Sequence, residues 1–499
     1  MKKRFILLLC AMSIIASLCW GQTWKLTETM TATLEDHVLT ISTTLDAEDM
    51  RDYDWIRENW VEKRSEIHSI VIEDHITGIF EWAFSHTPNV TTVTIANSVT
   101  YIGDYAFYNC YNLESVQLPE GLETLGHAAF KFCERLKSLD FPASVSVIGR
   151  ETGVGCSHLE AINVHPDNTF FSSEDGVLYN KEKTTLLVYP EGKKSNTFEI
   201  PNTVKIIESS AFDHALFEEI SIPNSVEEIW AGAFSTCTNL QSITIPSSVK
   251  TICEGIVAFC ENLTSIQVDA DNDYFTSEDD ILYSKDKSLL HSFAPGKTGD
   301  FQIPSFVQII NYWAFAGSNG LTSITIPNTV TEIRSWAFVN CKNLTSLTIP
   351  YAVTLFGGCV FGGCIGLKDI FVEWEKPLDI DAALFKDIDI TDMTLHVPTG
   401  TLESYEEAEI WQTFGTIIEY EYDFSNNEKV VTSTLKTYTS NGVLYITGLN
   451  PGKPLSIYSL TGQLLYHGIA SSSAMQIPFP WRGVCIVVSE KQTTKVFAN

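Results

Sequence analysis

The chain is poor in basic side chains. Its 499 residues hold 32 Lys and Arg against 62 Asp and Glu, a net charge of −30. An excess of that sign repels phosphate along most of the length, which excludes nucleic acid or an anionic membrane surface as the main partner. Past the first two dozen residues no apolar run reaches 18 residues, so nothing there can span a bilayer as a helix. Paired Cys-x-x-Cys, His-Glu-x-x-His, a Gly-rich phosphate loop and a nucleophile elbow are all missing, and the 11 His are scattered. Those absences argue against a zinc centre, a metalloprotease, a nucleotide enzyme and a serine hydrolase, and leave no catalytic residue, metal or cofactor to expect. Disorder is excluded by what the chain does have, 44% hydrophobic and 11% aromatic residues.

Residues 1–21 read as a secretory signal peptide: Lys2, Lys3 and Arg4, an apolar run from Phe5 to Leu18, and the small Gly21 before Gln22. Secretion or display on the outer cell surface is the expectation, with no transmembrane segment in the mature chain. Cys10 and Cys19 leave with the signal, and neither follows the small residue that lipidation needs.

The remainder is dominated by a repeat. The segment Leu113-Glu114-Ser115-Val116-Gln117-Leu118-Pro119 recurs from Leu136, Leu240, Leu321 and Leu344, and its Pro position falls at 73, 96, 119, 142, 166, 201, 223, 246, 270, 304, 327, 350 and 373. Most intervals are 22 to 24 residues; the two of 35 and 34 contain related insertions, Phe171 to Tyr179 and Phe275 to Tyr283, which read as β-hairpins. Cys133, Cys237 and Cys341 lie 104 residues apart, as do Cys156, Cys260 and Cys364, so the array grew by copying blocks. Alternating Leu and Ile over six residues predicts a short strand with one buried face, closed by Pro where a missing donor does least harm. No unit buries that face alone, and stacking in parallel about 4.8 Å apart does so. A second short strand is expected over Val226–Ile229, before the turn that holds Ala233-Phe234.

At these residues the sequence resembles the BspA-like leucine-rich repeat surface proteins, whose unit reads Leu-x-x-Ile-x-Ile-Pro-x-x-Val-x-x-Ile-x-x-x-Ala-Phe-x-x-Cys. The resemblance implies a repeat solenoid over 67–425, with hairpin insertions near 167–200 and 271–303, preceded by an N-terminal cap over 22–66 that includes Trp24, Leu39 to Ser42 and Trp60. Tyr405, Trp411 and Phe414 resemble a closing cap. Ala-Phe becomes Thr152-Gly153 and Ile256-Val257 in two units, where the turn is expected to be rebuilt. Residues 426–499 read as a small β-sandwich whose Ile457 to Gln463 core resembles the C-terminal sorting domain of the type IX secretion system of Bacteroidota. It departs from that pattern at Cys485. The resemblance implies secretion machinery as a partner.

Several tempting groups have a structural reading. Cys110, Cys133, Cys156, Cys237, Cys260, Cys341 and Cys364 share one repeat position and read as a buried row of small hydrophobes. Asp269 to Asp273 starts like a calcium loop, but Tyr274 stands where the sharp turn needs Gly. Trp82, Tyr105, Trp313 and Trp336 share the place before Ala-Phe and read as a shield for the coil edge, the alternative being a stack that grips sugar rings. Asn89, Asn262 and Asn343 begin sequons only because the repeat is spelled that way.

The candidate binding residues lie between the two Ile-type anchors of each strand, where alternation turns them outward: Gln117, Asp140, Asn163, Ser221, Thr244, Gln267, Thr325 and Thr348. Hydroxyl and amide groups in a row suit an extracellular protein or glycan ligand. A secreted or cell-surface adhesin is the function expected, the word adhesion coming from the resemblance. The alternative is a self-assembling structural surface protein, which exposed array ends would favour. An enzyme would need perturbed acids or histidines clustered in a pocket.

Overall fold

The computed structural model describes residues 21–50, 60–421, 436–440, 443–459, 464–479, 483–489 and 492–498. The signal segment 1–20 and Leu460 to Gln463 of the sorting-type core lie outside the described residues. The chain forms two compact units, Met1–Glu421 and Tyr422–Asn499.

The first unit is a parallel β-solenoid. Thr92–Ile95 and Ser242–Ile245 show the alternation that builds it, each strand exposed, buried, exposed, buried. Register follows the repeat, with Thr92, Val93 and Thr94 opposite Ser115, Val116 and Gln117, so equal repeat positions stack. A second sheet is made of two-residue strands, Tyr101–Ile102, Thr124–Leu125 and Val147–Ile148 among them. The expected strand over Val226–Ile229 is shorter, Glu228–Ile229. Val226 N–H donates to Pro223 O in a turn at 3.1 Å, which withdraws it from the ladder.

Between the two-residue strand and the next long strand the chain turns twice through left-handed backbone. One such residue precedes Ala-Phe, as in Trp82, Tyr105, Trp313 and Trp336 at φ 55 to 59°, and a second sits four further on, as in His86, Asn109, Phe132 and Asn340. Non-glycine residues resist this region. The turn offsets the cost by aiming N–H groups at the next coil: Trp82 N to Asp104 O at 2.9 Å, Phe84 N to Ala106 O at 2.8 Å and His86 N to Tyr108 O at 2.8 Å. The Phe of each Ala-Phe stacks on its neighbour, with Phe84, Phe107 and Phe130 at 5.4 and 5.2 Å and Phe315, Phe338 and Phe361 at 4.8 and 5.7 Å between centroids.

Each insertion restarts the second sheet. Phe171–Glu174 pairs antiparallel with Val177–Asn180, which pairs antiparallel with Thr185–Val188, and only then does parallel pairing resume at Ile206–Ile207. Phe275–Glu278, Ile281–Ser284, Leu289–Ser292 and Ile309–Ile310 repeat the plan. The apolar core accordingly divides into three clusters, spanning Leu26 to Leu178, Val177 to Ala294 and Ile281 to Phe414.

Both ends of the stack are covered. Gln22–Lys25, Met30–Glu35 and Val38–Thr43 pair antiparallel, and the last lies parallel to Ser69–Ile72. Trp60 is fully buried, its indole N–H donating to Ala83 O at 3.2 Å. At the other end Thr394–Pro398 and Thr416–Tyr420 extend the sheet, and Trp411 sits among Trp374, Tyr405 and Phe414.

The second unit holds two antiparallel sheets, one of three strands and one of four. Leu444, Ile446 and Ile477 from one and Leu455, Ile457 and Val487 from the other form a single buried cluster, as a small β-sandwich requires. Among the described residues no helix is long and apolar enough to cross a membrane.

The second insertion buries a histidine. His291 is 2% exposed, with Nε2 3.1 Å from Ile252 O and Nδ1 3.1 Å from Ser292 Oγ. Burial lowers its pKa to about 4, well below the usual 6.5. The unfolded chain therefore binds this proton more readily than the fold does between those values. Stability from this site is present at neutral pH and is lost as pH falls through that window, a swing of about 3 kcal/mol. Leu187 occupies the equivalent place in the first insertion. His291→Leu is expected to shrink the gap between urea midpoints at neutral and mildly acidic pH, and an unchanged gap would refute the assignment.

Candidate functional site: the long-strand face

The long strands give the candidate residues one repeat register, in groups of strands separated by breaks in the ladder. Asp140 lies opposite Asn163, Thr244 opposite Gln267 and Thr325 opposite Thr348. Gln117, Asp140, Asn163, Ser221, Thr244, Gln267 and Thr325 are exposed, and Thr348 is half-buried. Gln117, Asp140 and Asn163 line a concavity of about 540 Å³ together with Glu120, Pro142 and His165. Within it the Asn163 amide donates to Asp140 Oδ1 at 2.7 Å, leaving a second carboxylate oxygen and the amide oxygen for a ligand.

That register has members that the motif reading missed. Thr94, Glu199, Gln302, Phe371 and His396 occupy the same register position. Thr94 was findable from the same alternation, and it lines a neighbouring concavity with Glu73, Asp74, His75 and Gln117. Phe371 and His396 break the polar pattern: their rings stack at 3.9 Å, and His396 Nε2 lies 2.7 Å from Asp369 Oδ1. From the second insertion Asp280 reaches these side chains, accepting from Ser265 Oγ at 2.7 Å and from Gln267 Nε2 at 2.5 Å. The Ser265 hydroxyl and the Lys297 ammonium hold its carboxyl below the usual range. Gln267 is thus partly occupied by its own hairpin.

The remaining groups have structural work. The seven frame cysteines are buried and free. They do more than fill space: Cys237 donates its thiol to Phe212 O, Cys260 to Phe234 O and Cys364 to Phe338 O, each at 3.0 Å across one coil. Burial pushes the Cys156 thiol above the usual range, which removes thiolate chemistry there. The sequon amides of Asn89, Asn262 and Asn343 donate to Ser65 O, Thr238 O and Asn319 O at 2.6 to 2.7 Å, and so tie neighbouring coils together. In the calcium-like stretch Asp269, Asp271 and Asp273 are exposed, while Asn272 is buried. Its amide donates to Pro246 O and Val249 O at 2.8 and 3.0 Å, and its oxygen accepts from Tyr274 N and Phe275 N. Asn168 makes the same four bonds in the first insertion, so the pattern anchors a hairpin. Trp82 and Tyr105 stack at 4.1 Å and Trp313 and Trp336 at 4.9 Å. Among the described residues no group of three His, Cys, Asp or Glu is placed to hold a metal ion.

A perturbed acid and histidine do meet, away from the concavities described above. Glu191 is buried, its carboxyl pushed up to about 7 chiefly by loss of water. His214 Nδ1 lies 3.2 Å from both Glu191 Oε1 and Asp213 Oδ1.

A solenoid whose buried positions are uniform while one exposed row varies is a repeat protein that offers an extended surface. The chain belongs to the BspA-type leucine-rich repeat family: residues 56–181, 191–279 and 291–407 match it as a BspA type Leucine rich repeat region in 6 copies. Proteins of this family are surface-associated repeat proteins, generally of binding function. Among solved structures it is similar to a leucine-rich repeat protein from Eubacterium ventriosum, at 27% identity and TM-score 0.50, over 70% of this chain and 95% of that one. It is also similar to a leucine rich cell surface protein from Faecalibacterium prausnitzii, at 24% identity and TM-score 0.42, over 80% of this chain and 95% of that one. The pneumococcal vaccine antigen PcpA matches at 16% identity and TM-score 0.37, over 81% and 99%. No curated protein matches.

Proposed function

We propose that this chain is a secreted or outer-surface adhesin that binds host matrix proteins or other cells through the long-strand face. The observation that carries this reading is the set of mostly uncharged polar side chains exposed at one repeat position, with a concavity at Gln117, Asp140 and Asn163. Such groups hydrogen-bond a polar protein segment or a glycan without needing a charge of either sign. Buried aromatic layers at both ends, around Trp60 and Trp411, favour a foreign ligand over end-to-end assembly of copies. The signal-like segment 1–21 supports export, and the sorting-type sequence of 426–499 supports type IX secretion in a member of the Bacteroidota, with the secretion machinery as partner.

The full chain is expected to bind saturably to at least one member of a panel of immobilised matrix proteins, mucins and glycans. Combining Gln117→Ala, Asp140→Ala and Asn163→Ala is expected to weaken that binding by about tenfold or more, each lost hydrogen bond counting for about 1 kcal/mol. Equal binding by the variant would move the site elsewhere. A blank panel accompanied by self-association would replace the adhesin with a self-assembling surface protein.

A further inference from the structure

The turn ladder of the solenoid has a gap, and one side chain fills it. In the regular coils the left-handed residue before the frame cysteine sends its N–H to a backbone carbonyl of the next coil: Asn109 to Lys131 O at 2.8 Å, Phe132 to Val154 O at 2.8 Å, Asn340 to Gly362 O at 2.8 Å. At the second insertion the ladder jumps the inserted coil, Phe259 N donating to Ala316 O at 3.0 Å. At the first insertion Gly155 N–H donates instead to the Glu191 carboxylate, Oε1, at 2.9 Å. Only Gly fits there, because φ is +74° and a Cβ would sit 2.1 Å from the Phe132 ring. Pro295 holds the place of Glu191 in the second insertion, so this bond is specific to the first.

The Glu191 side chain is 5% exposed and has His214 against it, 42% exposed, with Asp213 on the other side of the imidazole, 12% exposed. Nδ1 lies 3.2 Å from each carboxylate, within ion-pair distance of both. From the preceding coils Lys131 and Glu134 also face this pair, with Lys131 itself paired to Glu151, and the Cys156 thiol lies close by.

We propose that Glu191, Gly155 and His214 form a pH-responsive clasp that fastens the first insertion to the coil before it and loosens as the solution becomes alkaline. The Gly155 N–H itself favours the ionised carboxylate, but burying that charge costs more than the bond returns unless the His214 imidazolium counters it. Burial raises the Glu191 carboxyl to about 7, and although burial alone would lower His214, the Asp213 and Glu191 carboxylates raise it. Two raised values act in the same sense: the stabilisation is complete below the unfolded pKa of each group and is lost as pH climbs through the folded one. Above that, the buried Glu191 and half-buried Asp213 carboxylates flank a neutral ring, with only the Gly155 N–H and the already paired Lys131 to offset their charge.

Hydrogen–deuterium exchange of the full chain as a function of pH tests this, after correction for the intrinsic exchange rate. Protection of peptides covering 151–157 and 189–192 is expected to fall about tenfold or more between about pH 6 and pH 8.5, while peptides around Phe259 and Ala316 keep theirs. Glu191→Gln retains an acceptor without a titrating group and is expected to flatten the profile, and Glu191→Ala to lower protection at every pH. A flat wild-type profile, or a Glu191→Gln profile with the wild-type slope, would overturn the proposal.

Discussion

Phe338→Ala is expected to cost about 3–5 kcal/mol and to unfold the last third of the solenoid first. The ring is fully buried and stacked between Phe315 and Phe361, so truncation leaves a cavity with aromatic walls on two sides. The backbone cannot collapse to close it, because Phe338 N–H is tied to Val360 O at 2.9 Å and Cys364 donates to Phe338 O at 3.0 Å. In a stack of coils each contacts only its neighbours, so the damage stays within the cluster from Ile281 to Phe414. Urea unfolding is expected to show an early transition, and hydrogen exchange to place it after residue 281 while the coils up to Cys260 stay protected. A loss under about 1 kcal/mol, or unfolding of the whole array in one step, would contradict this account.

Trp411→Ala is expected to bring a comparable loss, about 3–5 kcal/mol, together with concentration-dependent association. The indole N–H donates to Leu378 O at 2.8 Å, and the ring lies within 6.0 Å of Trp374, Tyr405 and Phe414. Removing it uncovers the buried Trp374, Tyr405 and Phe414, aromatic residues at the end of the stack. Light scattering across a concentration series separates the outcomes. A variant that stays monomeric with unchanged stability would show that the aromatic layer is dispensable.

The solenoid was legible because stacking imposes its own period: Leu, Ile, Val and Phe must recur every turn, and that recurrence is visible in one chain without relatives. The alternation that buries Ile243 and Ile245 also shows that Thr244 faces outward. The turn at Ala-Phe was located but its geometry was not legible, since left-handed backbone at Trp82 or Trp313 runs against the local preference of those residues. It is imposed by N–H groups that find acceptors only in the next coil. Asn168 and Asn272 look like members of polar loops, and their anchoring role depends on carbonyls 23 and 26 residues earlier. The Glu191 bond was hidden for the same reason, as 36 residues separate it from Gly155. Nothing in the repeat spelling marks Phe371 and His396, which depart from the polar row they occupy.

Pulled from its ends, this solenoid is three springs in series. Inside each cluster neighbouring coils share stacked rings, thiol bonds to carbonyls and turn N–H groups, and must part together. At the two hairpins the short-strand sheet restarts, and the turn ladder either leans on one carboxylate or leaps from Phe259 to Ala316. Under tension those two places are expected to part first, so that the array lengthens in discrete steps while the blocks between them stay wound.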